Sequence, residues 1–169
     1  DEKARCAFCH MQEGSHSFEV EVTTTCQDCH GSVALDEIAP PGGEPNYDGD
    51  PMTKPKAEVT VFAARLYEAI QAYCAAKADD PMPPSGASYT AYDGAAYPYF
   101  FKDTNKNGVV DGNEASAMRF DSKSLRAAFN YQYFQKEPGA WAHNNKYIVQ
   151  ILYDAIDDLD GDLTGLIRP

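Results

Sequence analysis

Two short motifs near the start of the chain combine thiols with imidazoles at a spacing that suits a metalloporphyrin. Each motif reads Cys-x-x-Cys-His, and they occupy residues 6–10 and 26–30. In such a motif the two thiols add to the vinyl groups of the porphyrin, and the histidine becomes the first axial ligand of the iron. The motifs therefore predict two haem c groups, the first held by Cys6, Cys9 and His10 and the second by Cys26, Cys29 and His30.

The same four cysteines also fit a second kind of metal site. Two Cys-x-x-Cys pairs can hold one tetrahedral zinc ion in a zinc ribbon. A four-thiolate zinc site does not require a histidine after each pair, yet both pairs have one here. The chain also has four histidines in total, which equals two proximal and two distal haem ligands. We therefore favour two covalent haems over one zinc ion.

The two remaining histidines are candidates for the distal axial positions. His16 lies six residues after His10 and would have to pass around the porphyrin edge to ligate its own haem. Reaching the neighbouring haem is easier, so we expect His16 to complete haem 2. His143, far along the chain, then completes haem 1. The swapped assignment stays open at this stage.

A twelve-residue segment at 103–114 follows the pattern of an EF-hand calcium loop. Such a loop places oxygen ligands at positions 1, 3, 5, 7, 9 and 12, with glycine at position 6 for a sharp turn. Gly108 occupies that sixth position. The segment before the loop contains glycine and proline, which favours a structural calcium loop over a full helix-loop-helix unit. The predicted ligands are Asp103, Asn105, Asn107, the Val109 carbonyl, Asp111 and Glu114.

Apolar residues recur at helical spacing in three later segments. They predict helices over residues 58–78, over 121–136, and from near Trp141 onward. In the second helix the apolar side chains of Leu125, Phe129 and Tyr133 line one face. His143 falls in the first turn of the third helix, beside its apolar edge. Residues 33–57 and 81–102 are rich in proline and glycine or aromatic side chains, and we expect them to be irregular.

These patterns together predict a mainly α protein with extensive irregular loops, a c-type dihaem cytochrome with an EF-hand-like calcium loop. Residues 1–57 would form a haem-binding arm and an irregular linker, and residues 58–169 a helical part. The two parts would form one compact domain. Cys74, the fifth cysteine, is interpreted as an unpaired core residue, although an intermolecular disulfide stays open.

Charge and hydropathy restrict the possible partners and the location of the chain. The net charge of −12 argues against nucleic acid, because phosphate binding needs a basic surface. It suits a basic redox partner, a mineral surface or divalent cations. No run of apolar residues is long enough to span a membrane. The chain opens at Asp1 without a start methionine, so we expect a processed protein or a fragment, with its signal peptide removed.

Several longer segments resemble the C-terminal part of exported multihaem c-type cytochromes from metal- and sulfur-reducing bacteria. The segments occupy residues 92–105, 125–132 and 136–144. The resemblance implies haems with two histidine ligands, electron transfer to other cytochromes or redox partners, and an extracellular or periplasmic location. Some exported cytochromes polymerise into filaments with haems stacked across subunits, which makes a homopolymer a hypothesis for this chain. Members of the family usually carry more than two haems.

Two other functional classes stay open from the sequence. A dihaem redox enzyme, such as a peroxidase or a small-molecule reductase, would need one open axial site, which requires that His16 or His143 is not a ligand. A structural or assembly protein would use the haems partly for packing. No catalytic residues are predicted, because no Ser/His/Asp arrangement, phosphate-binding glycine loop or paired carboxylate cleft is apparent. We therefore favour an electron carrier over an enzyme.

Overall fold

The computed structural model describes residues 6–11, 14, 16–17, 19–20, 25–32, 34 and 46–169, with only the backbone of residues 28 and 29. The described chain is mainly helical, as predicted, and its one sheet has two strands. The helices are α1 (Cys6–His10), α2 (Gln27–His30), α3 (Pro55–Ala78), α4 (Ser122–Lys136), α5 (Ala140–His143) and α6 (Asn145–Asp158). The strands are β1 (Tyr89–Tyr92) and β2 (Phe100–Asp103).

Helix α3 is the longest element and forms the centre of the core. It begins three residues before the predicted start, at Pro55. Proline suits the first helical position, because an amide hydrogen there would have no hydrogen-bond partner within the helix. The predicted apolar positions Val59, Phe62, Leu66 and Ile70 are all fully buried. The helix ends at Ala78, as predicted, and Asp79 is the residue that follows it.

The three long helices α3, α4 and α6 pack against one another in pairs. The interior between α3 and α6 is formed by large aliphatic and aromatic side chains that exclude water. They include Phe62, Leu66, Ile70, Ile148, Leu152 and Ile156. Burying each such side chain contributes about 1.5–3 kcal/mol, so this interface supplies most of the stability of the helical part. None of the described helices combines the length and apolar character needed to cross a membrane.

Helix α4 packs on a different face from the one that its apolar pattern indicates. Leu125, Phe129 and Tyr133 are 58%, 69% and 41% exposed. The buried face instead carries small side chains together with Tyr131. Small residues let α4 approach α3 and α6 closely, which leaves the bulky stripe toward solvent. The three apolar side chains do share one face, as predicted, and that face is exposed.

The predicted third helix is divided into two. Helix α5 ends at His143, and Asn144 adopts a non-helical conformation with φ −158° and ψ 63°. The side chain of Asn144 accepts a hydrogen bond from the Tyr147 amide and so caps α6. His143 therefore lies in a separate short helix before the apolar face of α6 begins, and Tyr147 is exposed.

A β-hairpin replaces part of the segment predicted to be irregular. Strand β1 pairs antiparallel with β2, with Tyr89 opposite Asp103 and Tyr92 opposite Phe100. Tyr92 and Phe100 pack on Tyr131 of α4, which fixes the hairpin to the helices. Because β2 ends at Asp103, the hairpin delivers the chain directly into the predicted calcium loop.

The segment before α3 is tied to the helical part by a buried carboxylate. Glu58 accepts hydrogen bonds from the Tyr47 amide and, at 3.4 Å, from the Asn145 side chain. Burial raises the pKa of Glu58, although these hydrogen bonds oppose the rise. The Tyr47 carbonyl also accepts a hydrogen bond from the Ile167 amide at 2.7 Å. Residues 46–54 contain no helix or strand, as predicted, and 35–45 of the predicted linker lie outside the described residues.

Cys74 lies in the helical core. Its side chain is 3% exposed, and burial raises the pKa of the thiol to about 12. A thiol that is both buried and protonated is inert toward disulfide exchange. The prediction of an unpaired core cysteine is therefore confirmed, and an intermolecular disulfide is not compatible with this burial.

Candidate haem centres and calcium loop

The first Cys-x-x-Cys-His motif forms helix α1. Positions separated by three and four residues lie on one side of a helix, so Cys6, Cys9 and His10 are grouped on the same face. Cys6 is exposed, and Cys9 and His10 are half-buried. A single helical turn therefore presents two thiols and one imidazole together, which is the arrangement that attachment to a porphyrin edge requires.

The second motif forms helix α2 in the same way. Cys26 is the residue before the helix, and its backbone is already helical with φ −84° and ψ −38°. Burial raises the pKa of the Cys26 thiol, and the nearby Cys9 thiol raises it further. The first thiol pair therefore lies in the same part of the molecule as Cys26. The side chain of Cys29 lies outside the described part of the chain, and His30 is exposed.

His143 lies next to His10 despite the long sequence separation between them. The centroids of the two imidazole rings are 6.0 Å apart, and the ring planes are inclined by 57°. His143 is the last residue of α5, and its amide donates a hydrogen bond to the Gly139 carbonyl at 2.8 Å. Its side chain is 61% exposed. The turn after α4 thus brings an imidazole from the helical part to the first haem motif.

The second predicted pair is less closely assembled. His16 and His30 are both exposed, and His16 lies in a segment without helix or strand. No ring contact between these two histidines occurs in the described part of the chain. Of the four predicted axial ligands, the structure therefore brings together only His10 and His143.

The zinc-ribbon alternative finds no support in the described geometry. Within the described ranges, no three side chains of His, Cys, Asp or Glu are arranged to hold one metal ion. The four cysteines whose side chains are described, Cys6, Cys9, Cys26 and Cys74, form no disulfide. The described thiols of the two motifs are thus not gathered as zinc ligands.

The predicted calcium loop is a tight turn built around the Asp103 carboxylate. Asp103 is 3% exposed, and its carboxylate accepts hydrogen bonds from the amides of Lys106, Asn107 and Gly108. Lys106 and Gly108 have φ values of 63° and 78°. The positive φ at Gly108 is the turn for which the motif requires glycine. The backbone of the loop therefore turns around the Asp103 carboxylate, which three of its amides contact.

The polar side chains of this loop converge from several positions. The amide groups of Asn105 and Asn107 lie 2.5 Å and 2.9 Å from the same oxygen of Asp111. The oxygens of the same two side chains accept hydrogen bonds from the Asn107 and Val109 amides at 3.0 Å and 2.8 Å, which fixes the orientation of both amide groups. Val109 contributes its backbone, and its side chain is exposed.

Glu114 closes the loop. One of its oxygens accepts hydrogen bonds from the Thr104 amide and hydroxyl and the Asn105 amide, and the other from the Asp111 amide. The hydrogen bond from Asp111 is the largest cause of a lowered pKa, followed by that from the Thr104 hydroxyl. The carboxylate is therefore ionised throughout the neutral range, as a calcium ligand must be. The three carboxylates of the loop accept hydrogen bonds from amide groups and, like the described thiols, are not gathered around one point that could hold a metal ion. The loop still offers oxygen atoms, which are the donors that calcium prefers.

The chain was compared with known proteins. It is similar to "C-type polyheme cytochrome OmcB" of Geobacter sulfurreducens, from strains DL-1 / KN400 and ATCC 51573 / DSM 12127 / PCA. The identity is 30% over 192 aligned positions, which cover 96% of this chain and 22% of each relative. This chain is related to the multihaem c-type cytochromes. The similarity to "C-type polyheme cytochrome OmcC" of the second strain is 29%, over 96% of this chain and 21% of that relative.

The chain thus spans about a fifth of the length of these polyhaem cytochromes. No protein-family model matches it, and no solved structure is significantly similar to it. The relationship agrees with the two haem-attachment motifs, because attachment through cysteines defines a c-type cytochrome. It extends over nearly the whole chain and therefore includes the helical part that carries His143.

Two residues beside His143 were not recognised from the sequence. Glu137 and Gly139 lie in the segment 136–144 that carries the family resemblance, but the sequence assigns neither residue a role. In the structure the carboxylate of Glu137 lies 3.5 Å from Nδ1 of His143. The contact between Glu137 and the imidazole depends on how the turn after α4 folds back, which the sequence does not show.

Proposed function

We infer that this chain transfers electrons through two covalently attached c-type haems, each with two histidine axial ligands. The observation that carries this conclusion is the approach of His143 to His10, with ring centroids 6.0 Å apart. The relationship to polyhaem cytochromes supports it independently. The haem sites would be Cys6, Cys9, His10 and His143 for haem 1, and Cys26, Cys29, His30 and His16 for haem 2.

The separation of the two rings suits a shared metal ion. With metal–nitrogen bonds of about 2 Å on opposite sides of one metal, the centroids of two imidazole rings lie roughly 6 Å apart. Ordinary packed rings also occur about 4.5–7 Å apart, so the distance by itself is not decisive. The distinguishing feature is that His10 belongs to a haem-attachment motif. The pairing therefore favours His143 on haem 1 over the swapped assignment.

The protein residues have separate tasks in this function. Bound haem supplies a reversible one-electron change at its iron. The cysteines of α1 and α2 hold each group covalently, and the four imidazoles occupy the axial positions. With both axial positions filled, neither iron would keep a site for dioxygen or a small substrate. The chain then acts as an electron carrier rather than as an enzyme.

The two haems would lie near each other and pass electrons between their edges. The influence of the Cys9 thiol on the pKa of Cys26 supports an arrangement in which the two motifs are neighbours. Electron partners would be other cytochromes or redox partners, in an extracellular or periplasmic setting. A homopolymer with haems stacked between subunits extends the same proposal.

The domain division follows from the same arrangement. Residues 1–57 would serve as the haem-binding arm and linker, and residues 58–169 as a helical part that supplies His143. The contact between His10 and His143 supports one compact unit. Calcium bound by Asp103, Asn105, Asn107, Val109, Asp111 and Glu114 would brace the end of the hairpin in this unit.

Haem stoichiometry and spin state test the proposed function. We expect a pyridine haemochrome assay of the purified protein to give two covalent haems per chain. Oxidised and reduced optical spectra should show only low-spin haem that does not change when carbon monoxide is added. A carbon-monoxide-binding haem would favour the dihaem redox enzyme instead. The absence of any Soret band would contradict covalent haem and support the zinc ribbon.

A further inference from the structure

The turn that follows α4 encloses the imidazole of His143 on one side. The Glu137 amide donates to the Tyr133 carbonyl at 3.0 Å, and the Ala140 amide donates to the Glu137 carbonyl at 3.1 Å. The Glu137 side chain turns back within this segment and accepts a hydrogen bond from the Gly139 amide at 3.0 Å. The backbone therefore holds the carboxylate in one orientation.

This oriented carboxylate faces Nδ1 of His143, the ring nitrogen that stays free when Nε2 binds iron. Oε1 of Glu137 lies 3.5 Å from Nδ1 of His143. A well-formed hydrogen bond is shorter, about 2.7–3.2 Å, so a small rotation of the imidazole brings the two atoms into full contact. Metal-binding histidines almost always donate their second ring N–H to a carboxylate, a carbonyl or water. Glu137 is placed to accept that hydrogen bond.

Gly139 provides the space in which the imidazole lies. A Cβ atom added at this position would be 2.5 Å from Cε1 and 2.6 Å from Nδ1 of His143. It would also be 2.9 Å from Oε1 of Glu137. The glycine is not needed for its backbone conformation, because its φ of −92° is open to any residue. Its role is therefore to leave room for the ring and for the carboxylate.

We propose that Glu137 and Gly139 are positioning residues for the distal ligand of haem 1, with Glu137 accepting the Nδ1 hydrogen of His143. This proposal rests on the proposed function, because it takes His143 to be an axial ligand. A carboxylate acceptor increases the electron density of the imidazole and so stabilises ferric over ferrous iron. Glu137 thereby lowers the reduction potential of haem 1 relative to a haem whose distal histidine lacks such a partner.

The test compares the reduction potentials of both haems in the holoprotein. Replacing Glu137→Gln removes the negative charge and keeps the shape of the side chain. We expect the potential of one haem to rise, with the other unchanged and both haems still low-spin. The pair is partly exposed, with side-chain exposures of 61% for His143 and 38% for Glu137, so water screens part of the effect. Glu68→Gln, which removes a charge on the exposed face of α3, is the matched control and should shift neither potential.

A second variant tests the space at Gly139. Gly139→Ala should displace the imidazole and increase the high-spin fraction of one haem, with loss of its low-spin electron paramagnetic resonance signal. The control is Gly112→Ala, because an added Cβ there meets no atom within 4 Å. Circular dichroism of each variant checks that the helices are intact. If Gly139→Ala leaves the low-spin signal unchanged, the proposed packing of the ring is wrong.

The outcomes separate this proposal from the proposed function. If His143→Ala leaves both haems low-spin, the assignment of the ligand itself fails. If His143→Ala exposes a high-spin haem but Glu137→Gln shifts no potential, only the role of Glu137 is overturned. A rise in potential with Glu137→Gln that persists in Glu137→Asp would support the hydrogen bond, because aspartate keeps the charge but its shorter side chain does not reach Nδ1.

Discussion

At the scale of single residues, His143 links the helical part of the molecule to the haem motifs. Its type and its place in a late helix indicated a ligand, and the structure places its ring beside that of His10. Glu137 and Gly139 were not predicted as partners of this ring. Their contacts arise from a turn in which a side chain and a missing Cβ meet the imidazole, and sequence spacing does not report such contacts.

Glu114 should determine the calcium affinity of the loop. Amide and hydroxyl hydrogen bonds lower the pKa of its carboxyl, with the Asp111 amide as the largest cause, so it stays ionised to a lower pH than an ordinary glutamate. Calorimetric titration of the wild-type protein should give a dissociation constant of about 10⁻⁴ M, typical of extracellular modules. We expect Glu114→Gln to weaken binding at least about tenfold, since it removes one charged ligand oxygen.

The control for the calcium measurement is Glu68→Gln, which removes the same charge from an exposed site on α3. Its dissociation constant should equal that of the wild type. Equal binding by Glu114→Gln and wild type would show that the loop does not close on the cation through this carboxylate. No calcium binding by the wild-type protein would reduce the segment to an Asx-rich turn.

At the scale of elements, the long helices could be predicted from the sequence, whereas the two short strands could not. A regular apolar repeat identifies a helix of many turns, as in α3, whereas β1 and β2 have only four residues each. Their pairing depends on contacts of Tyr92 and Phe100 with α4. The apolar pattern of α4 does not identify its buried face, because the small residues that let the helices approach closely are buried in place of the bulky ones.

The exposed stripe of α4 provides one member of a matched pair of leucines for a stability test. Leu66 is fully buried in α3, whereas Leu125 on α4 is 58% exposed. Leu66→Ala should lower the free energy of unfolding by about 2–5 kcal/mol, from lost burial and a cavity. Leu125→Ala should change it by less than about 0.5 kcal/mol. Urea denaturation measures both, and a large loss for Leu125→Ala would mean that the stripe is covered.

The N-terminal cap of α4 should make stability depend on pH. Asp121 accepts hydrogen bonds from the Ser124 amide at 2.9 Å and the Tyr73 hydroxyl at 2.7 Å. Burial alone would raise the pKa of this carboxyl, but the Ser124 amide and Tyr73 hydroxyl outweigh it, and the pKa is lowered. The pKa of Tyr73 is raised to about 12, mainly by burial and then by the hydrogen bond that its hydroxyl donates to Asp121.

Asp121→Ala should therefore cost about 1 kcal/mol of unfolding free energy at pH 7, the usual loss for an N-cap. A lowered native pKa means that the stabilisation is complete above the unfolded-state pKa of about 3.9 and disappears as the pH falls through the native value. Chemical denaturation at pH 7 and near pH 3 measures this difference. A penalty that stays constant at both pH values would contradict the role of the ionised carboxylate.

At the scale of the whole molecule, the acidic surface should govern encounters with redox partners. The net charge is −12, so we expect faster electron exchange with a basic cytochrome than with an acidic one. Stopped-flow rates with the basic partner should fall steeply between low and physiological ionic strength, because salt screens long-range attraction. Rates that do not change with salt would assign the charge to solubility alone.

The arrangement of the haem arm relative to the helices could be predicted only in outline. The two motifs identified the cofactor from residue type and spacing, and the excess of histidines indicated distal ligands. The choice of partner for His143 needed the fold, because α5 and the turn after α4 decide where its ring lies. The pairing of His16 with His30 remains a prediction from the length of the connecting segment.

The central claim is that His10 and His143 bind the same iron, and single-haem variants test it most directly. Cys26→Ser with Cys29→Ser leaves only haem 1, and Cys6→Ser with Cys9→Ser leaves only haem 2. Adding His143→Ala to the first variant should convert its haem to a high-spin form that binds carbon monoxide. The same substitution added to the second variant should leave its low-spin spectrum unchanged. If instead the second variant becomes high-spin and the first does not, His143 belongs to haem 2 and the account is contradicted.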